Sequence, residues 1–271
     1  MVESKITSLQ NAKIKQVVAL QQKSAERRKQ GVFVVEGLRE LLHCQKAGYQ
    51  METLFVCPSI MGSSSLPQAM NDVTTYEVTP DVYEKMAYRG GTEGVMALVQ
   101  SRCLQLKDLK LPEHPLLMVL ESVEKPGNLG AILRSADAAG ADAVIVCDPL
   151  TDLYNPNLIR SSIGAIFSVP CVACSSEECI NFLKAKGIHI LTAQLQDSKL
   201  YYDTDMTQGT AIVMGTESTG LTQVWRKAAD AHIRIPMLGQ LDSLNVSVSA
   251  AILLYEAIRQ RMRINEKQIP F

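Results

Sequence analysis

Three clusters along the chain combine small residues with polar groups able to hold or activate a ligand. The first is Glu124-Lys-Pro-Gly-Asn128-Leu-Gly130-Ala-Ile-Leu-Arg134-Ser-Ala-Asp137. Leu129, Ile132, Leu133, Ala136 and Ala139 make one apolar stripe at helical spacing, with Asn128 placed to cap the helix and Gly140 to end it. Arg134 falls off that stripe, and Gly130 and Ala131 precede it by one turn. Two small residues there clear space for close approach to a guanidinium; equally, they let the helix pack tightly and leave Arg134 a surface charge. The second cluster, Ile212-Val-Met-Gly215-Thr-Glu217-Ser-Thr-Gly220-Leu221, runs a strand into a loop of glycines and hydroxyls, a common ligand position at the carboxyl end of a strand. It has neither GxGxxG nor the Gly-Lys-Ser/Thr of a P-loop, which argues against standard nucleotide sites. The third, Ile233-Arg-Ile235-Pro-Met-Leu-Gly239-Gln-Leu-Asp-Ser243-Leu-Asn245-Val-Ser247, ends a strand at Pro236 and opens a helix that Ser243 or Asn245 could cap.

Positioning these clusters takes an alternating scaffold. Leu116–Leu120, Ala143–Cys147, Val169–Ala173, Ile188–Ala193, Ala211–Met214 and His232–Ile235 are short apolar runs, mostly continuous, as expected for strands buried on both faces. Helical patterns separate them at Leu129–Ala139, Asn157–Phe167, Glu177–Lys186 and Gln223–Ala229, and a long last helix runs from about Val246 to Arg263. The expected fold class is α/β: a mostly parallel sheet with helices on both faces. In the last helix, Val248, Ala251, Ile252, Tyr255 and Ile258 form a stripe read as core or subunit contact, and Ala250, Leu253, Leu254 and Ala257 widen it. Before Pro115 lies a smaller α/β domain. It has a helix over Leu9–Gln22, strands at Val32–Val35, Met51–Cys57 and Gly94–Val99, a helix from Leu38, and helices at Pro67–Met70 and Pro80–Met86. The expected division is 1–104, a charged, proline-containing linker at 105–115, and 116–271.

Composition narrows the class further. The chain has 271 residues, 46% of them hydrophobic and 20% charged, with no apolar run of about 18 residues to span a membrane and no apolar signal core near the N-terminus. A cytoplasmic location is the expectation. Seven scattered cysteines argue against a disulfide framework. Cys171-Val-Ala-Cys174 has CxxC spacing but no second ligand pair, and reads as part of a buried strand, so no metal is expected. Net charge is −1, yet residues 1–30 hold seven basic side chains against two acidic ones. That start suits phosphate contacts or simply a solvated helix face.

The order and spacing of the clusters are more specific than any one of them. Asn-x-Gly-Ala-x-x-Arg-x-Ala, then Gly-x-Glu-x-x-Gly-Leu, then Ile-Pro-Met-x-Gly-x-x-x-Ser-Leu-Asn-Val-Ser resembles the three motifs of the SpoU (TrmH-like) ribose methyltransferases of the SPOUT class. The likeness covers about Leu116–Met262, with Asn155-Pro-Asn-Leu-Ile-Arg160-Ser-Ser-Ile-Gly164 resembling that family's intermediate segment. Residues 5–99, including Phe33-Val-Val-Glu36-Gly37, are similar to the L30e-like substrate-binding domain that often precedes it.

The resemblance implies an S-adenosylmethionine-dependent RNA ribose 2′-O-methyltransferase, a C-terminal trefoil knot that periodicity alone would not reveal, and a homodimer completing the site. By match, the cofactor would meet loops Leu191–Leu195, Met214–Gly220 and Ile235–Asn245, through Gly215, Ile235 and Leu244, with Thr192 nearby. Arg134 matches the essential arginine, acting either as a base or as a cation that engages phosphate and activates the 2′-OH. The persistent charge of guanidinium favours the cation. Asn128 would orient Arg134 or the backbone, while Glu217, Ser243 and Asn245 would wall the ribose and phosphate. Lys13, Lys15, Arg27 and Arg28 would contact RNA, with ribosomal RNA favoured over tRNA. The competing readings are a non-catalytic RNA-binding or ribosome-assembly protein on the same fold, against which the intact polar set argues, and a nucleotide-dependent α/β enzyme such as a reductase.

Overall fold

The computed structural model describes residues 2–62, 66, 70, 72–88, 93–216 and 218–265. In chain order the first elements are β1 (Val2–Ile6), α1 (Ala12–Gln22), α2 (Ser24–Gln30), β2 (Val32–Glu36), α3 (Leu38–Lys46), β3 (Met51–Val56), α4 (Pro58–Met61), β4 (Thr74–Val78), α5 (Pro80–Met86) and β5 (Val95–Gln100). There follow β6 (Leu116–Glu121), α6 (Pro126–Ala138), β7 (Ala143–Cys147), α7 (Pro156–Ser162), α8 (Ala165–Ser168), β8 (Cys171–Cys174), α9 (Ser176–Ala185) and β9 (His189–Ala193). The chain finishes with β10 (Lys199–Leu200), β11 (Thr210–Met214), α10 (Gln223–Ala228), β12 (Ala231–Arg234) and α11 (Val246–Asn265). The expected helix at Pro67–Met70 falls mostly outside the described residues. No helix among the described residues is long and apolar enough to cross a membrane.

The chain divides into two compact units, 1–102 with 152–168, and 103–151 with 169–271. Two boundaries differ from the sequence reading. Segment 152–168, expected inside the C-terminal domain, packs with the first unit. The expected linker belongs to the second unit, because Leu106, Leu109 and Leu111 pack on its core.

The first unit is a five-stranded mixed sheet in the order β1-β4-β3-β5-β2. Ile14, Val17 and Leu20 of α1 and Val82, Tyr83 and Met86 of α5 are buried in one core with Val34, Phe55, Met96 and Leu98 of the sheet. On β2 the alternation of side chains sends Phe33 the other way, where it stacks on Tyr154 at 4.1 Å between centroids. Both faces of β2 are therefore covered, which explains its unbroken apolar run. The helix expected over Asn157–Phe167 breaks into α7 and α8, because Ile163 and Gly164 both adopt positive φ, at 54° and 86°.

Arg27 departs from its expected role. It is 5% exposed, its Nε donates to Asp152 Oδ2 at 2.6 Å, and Nη1 donates to the carbonyls of Leu20 and Gln21 at the end of α1. Its charge is spent inside the unit, whereas Lys13, Lys15 and Arg28 are exposed.

The second unit is a seven-stranded sheet in the order β10-β12-β9-β11-β6-β7-β8, with every pairing parallel. One face packs against α9 and α10 through Cys179, Ile180, Leu183 and Trp225. Helices α6 and α11 pack together over the other strand-facing layer, touching β6, β7 and β11. In α11 the buried apolar positions among the described residues are Val246, Ala250, Leu253, Leu254 and Ala257, while Val248 and Tyr255 of the other stripe are 47% and 52% exposed. The widening residues are thus the core face, and the stripe read first lies outside it.

Removing one partner of a buried ion pair strands the other charge, at a cost of about 3–5 kcal/mol. Arg27→Ala is expected to lower stability by that amount in urea denaturation, whereas Arg28→Ala, on the exposed side of the same turn, should change it by less than about 0.5 kcal/mol.

Candidate active site

Parallel strands β6, β9, β11 and β12 all deliver their carboxyl ends to one edge of the sheet, where the three polar clusters meet. A cavity of about 130 Å³ is lined there by Val123, by Glu124, Lys125 and Asn128 from the first cluster, by Gly215, Thr216 and Ser218 from the second, and by Val246 from the third.

Each cluster is held by a local device. Helix α6 starts earlier than expected, at Pro126, whose fixed φ suits the first helical position. Asn128 is therefore the third residue of the helix and not its cap, and its side chain is turned outward toward the third cluster. There Asn245 Nδ2 donates to Asn128 Oδ1 at 3.3 Å. Asn245 also caps α11, accepting from the Ser247 amide at 2.9 Å and the Ser247 hydroxyl at 2.6 Å. Ser243 is exposed and donates to neighbouring Asp242.

The second cluster is a tight backbone loop. Thr216 and Gly220 exchange backbone hydrogen bonds of 3.3 and 3.1 Å. A Cβ on Gly215 would lie 2.3 Å from the Gly220 carbonyl carbon and 2.6 Å from the Leu221 nitrogen, so no side chain fits. Glu217 lies outside the described residues.

Glu121, a residue the sequence reading passed over, anchors this loop. It is buried at the end of β6 and accepts from the Thr222 amide at 2.8 Å and the Thr222 hydroxyl at 2.7 Å. Ser176 joins the same network, donating to Asp148 at 2.6 Å and accepting from the Trp225 indole at 2.9 Å. The signal available in the sequence was a lone carboxylate closing an apolar strand, since such a group needs donors when buried. Lys125, on the cavity wall, was also missed, because a lysine before Pro-Gly reads as a turn.

The remaining expected residues are only partly gathered. Thr192, at 0% exposure, shares a 2.6 Å hydrogen bond with His232 Nδ1, so its hydroxyl is taken up between β9 and β12. Ile235 follows β12 directly and is half-buried, and Leu244 is exposed. Arg134 is exposed on α6 and does not line the cavity. Six residues beyond Asn128, it lies about 9 Å further along the axis and about 120° round the helix.

The chain is similar in sequence and fold to known proteins. Residues 115–255 match the SpoU rRNA Methylase family, and residues 11–97 match the MRM3-like substrate binding domain. The chain belongs to the SpoU rRNA methylase family. A Streptomyces viridochromogenes protein described as a 23S rRNA (uridine(2479)-2'-O)-methyltransferase is 32% identical over 268 residues, covering 95% of this chain and 93% of that one. A crystal structure described as an RNA 2'-O ribose methyltransferase superimposes with TM-score 0.83 at 38% identity, over 95% of this chain and 99% of that one. The SpoU methyltransferase AviRb from Streptomyces viridochromogenes, crystallised with AdoMet, gives TM-score 0.84 at 31% identity over 93% of this chain and 99% of that one.

Breaking the two hydrogen bonds from Thr222 to the buried carboxylate of Glu121 costs about 1–3 kcal/mol in all. Glu121→Ala is expected to lose that much stability in thermal denaturation.

Proposed function

We propose that this protein is an S-adenosylmethionine-dependent methyltransferase that modifies a ribose 2′-OH of RNA, in 23S ribosomal RNA. The observation that carries the reading is the meeting of all three motifs at one cavity on the carboxyl edge of the sheet, with Asn245 bonded to Asn128 of its lining, in a chain of the SpoU family. The 23S rRNA activity named for a relative spanning 95% of the chain, and the AdoMet-bound AviRb structure, support the substrate and the cofactor.

The residues present suit such a cofactor. The loops after β9, β11 and β12 bring main-chain donors and acceptors to one edge, and Gly215 holds the middle loop closed where a side chain would force it open. Gly215, Ile235 and Leu244 would contact the cofactor through backbone groups; Thr192, its hydroxyl held by His232, would shape the end of β9. S-adenosylmethionine supplies a methyl group on a sulfonium leaving group.

What the chain must add is control of the nucleophile: a 2′-OH has to be positioned and relieved of its proton. Arg134 is assigned as the cation that binds an adjacent phosphate and stabilises charge developing on the 2′-oxygen. Asn128, Ser243 and Asn245 form the polar wall around ribose and phosphate, a role that the sequence match also gives to Glu217, and this chemistry uses no metal. Arg134 stands off the cavity of its own chain, which favours a homodimer in which two copies build each site. The exposed stripe of Val248 and Tyr255, with Leu238 and Leu241 at 97% and 75% exposure, suits that contact.

Residues 1–104, read as L30e-like, would choose the RNA, with Lys13, Lys15 and Arg28 meeting phosphates. The insertion of late strand β11 between β6 and β9 supports a trefoil knot. A ribosomal RNA substrate fits a cytoplasmic location.

Arg134→Ala is expected to abolish methyl transfer from radiolabelled S-adenosylmethionine to rRNA while cofactor affinity, measured by calorimetry, stays within a few fold. Near-wild-type turnover by this variant would overturn its assignment. In light scattering, wild-type protein should run at twice the chain mass, and a Val248→Asp/Tyr255→Glu double variant at the single-chain mass with little activity.

A further inference from the structure

The CxxC segment has a different meaning in three dimensions. Residues three apart on a strand point to opposite faces, so Cys171 and Cys174 cannot converge on one ion while β8 persists. Nor is β8 a buried strand, as the sequence suggested: it lies at the edge of the seven-stranded sheet, with Cys171 and Cys174 half-buried. Cys174 instead faces Cys147, its register partner at the end of β7, and Cys179 in the first turns of α9. The sulfurs of these three residues lie within 4.8 Å of one another.

The convergence follows from the local fold. Parallel register aligns the last residues of β7 and β8, and a single residue, Ser175, separates β8 from α9. Ser175 and Glu178 form a reciprocal capping box that fixes where the helix begins. Cys179 then comes back over the strand ends. Cys147 and Cys179 are fully buried and Cys174 is half-buried, so the group has an apolar floor and one open side.

We propose that Cys147, Cys174 and Cys179 form a site for a single thiophilic d10 cation, Zn(II) or Cu(I), held by three thiolates. Thiolate-only donor sets select such ions, which accept either three sulfurs alone or three with solvent as a fourth ligand on the open side. For a divalent ion the binding balances as three thiols and M(II) giving a tris-thiolate complex of charge −1 and three released protons. The ion would clamp the β7–β8 edge to α9 beside Ser176, which belongs to the Glu121–Thr222 network. Its role is structural, and it stands independently of the methyl-transfer reading.

The test uses the reduced full-length protein without chelator. Titration with Cd(II), a spectroscopic stand-in, should give a thiolate-to-metal charge-transfer band saturating at one equivalent, and Zn(II) should compete for it and raise Tm. Cys174→Ala, at the half-exposed position, should lose the band and the Tm rise while keeping the wild-type circular dichroism spectrum. Cys103→Ser, removing an exposed cysteine, should keep both. Failure of the reduced wild-type protein to bind either ion, or equal binding by Cys174→Ala, would overturn the site. If Cys174→Ala fails to fold, Cys174→Ser decides by the same readings.

Discussion

The second unit depends on one constraint: all of its strands run the same way. A parallel sheet needs crossovers that cover both faces, so the strands become buried and apolar, and polar residues are pushed to the strand ends. Because β6, β9, β11 and β12 share a direction, clusters far apart in sequence are delivered to a common edge. No single motif has to enclose a ligand; each provides one wall. This explains why the clusters carry little meaning individually and much in combination.

Those walls are fixed by contacts made behind and beside the cavity. Glu121 is taken out of water and satisfied by Thr222, which pins the far end of the glycine loop. Gly215 is pressed against Gly220 and Leu221 so closely that only the absence of a side chain permits the path. Asn245 serves two structures at once, ending the loop as the α11 cap and reaching Asn128 on α6. Preorganisation of this kind is how a site of short polar residues holds its geometry before a substrate arrives.

Much of this was readable from the sequence where the signal was periodic. Ala143–Cys147 and Pro80–Met86 have the expected bounds, and the alternating order implied the parallel sheet correctly. The missed strands β1, β4 and β10 are short or mixed in polarity: Lys199–Leu200 is two residues long, and Thr74–Val78 carries Thr, Thr and Glu. Position in a helix was misjudged at Asn128, because Pro126 begins the helix before the apolar stripe does. The break at Ile163 was hidden because an isoleucine with positive φ is uncommon, and only tertiary packing reveals it. Arg27 and Thr192 show the deepest limit: the basic N-terminal run offered the one to RNA and the family resemblance set the other near the cofactor, while Asp152 and His232, distant in sequence, are the partners they bond.

Arg27 and Arg28 are adjacent in the chain and opposite in physical role. A cation facing solvent can neutralise a phosphate and free the counterion condensed on the polyanion there, and such releases set how steeply binding falls with salt. Arg27 is already engaged with Asp152 and two carbonyls. It is therefore silent in counterion release, and the effective valence of this surface is smaller than a count of its basic letters.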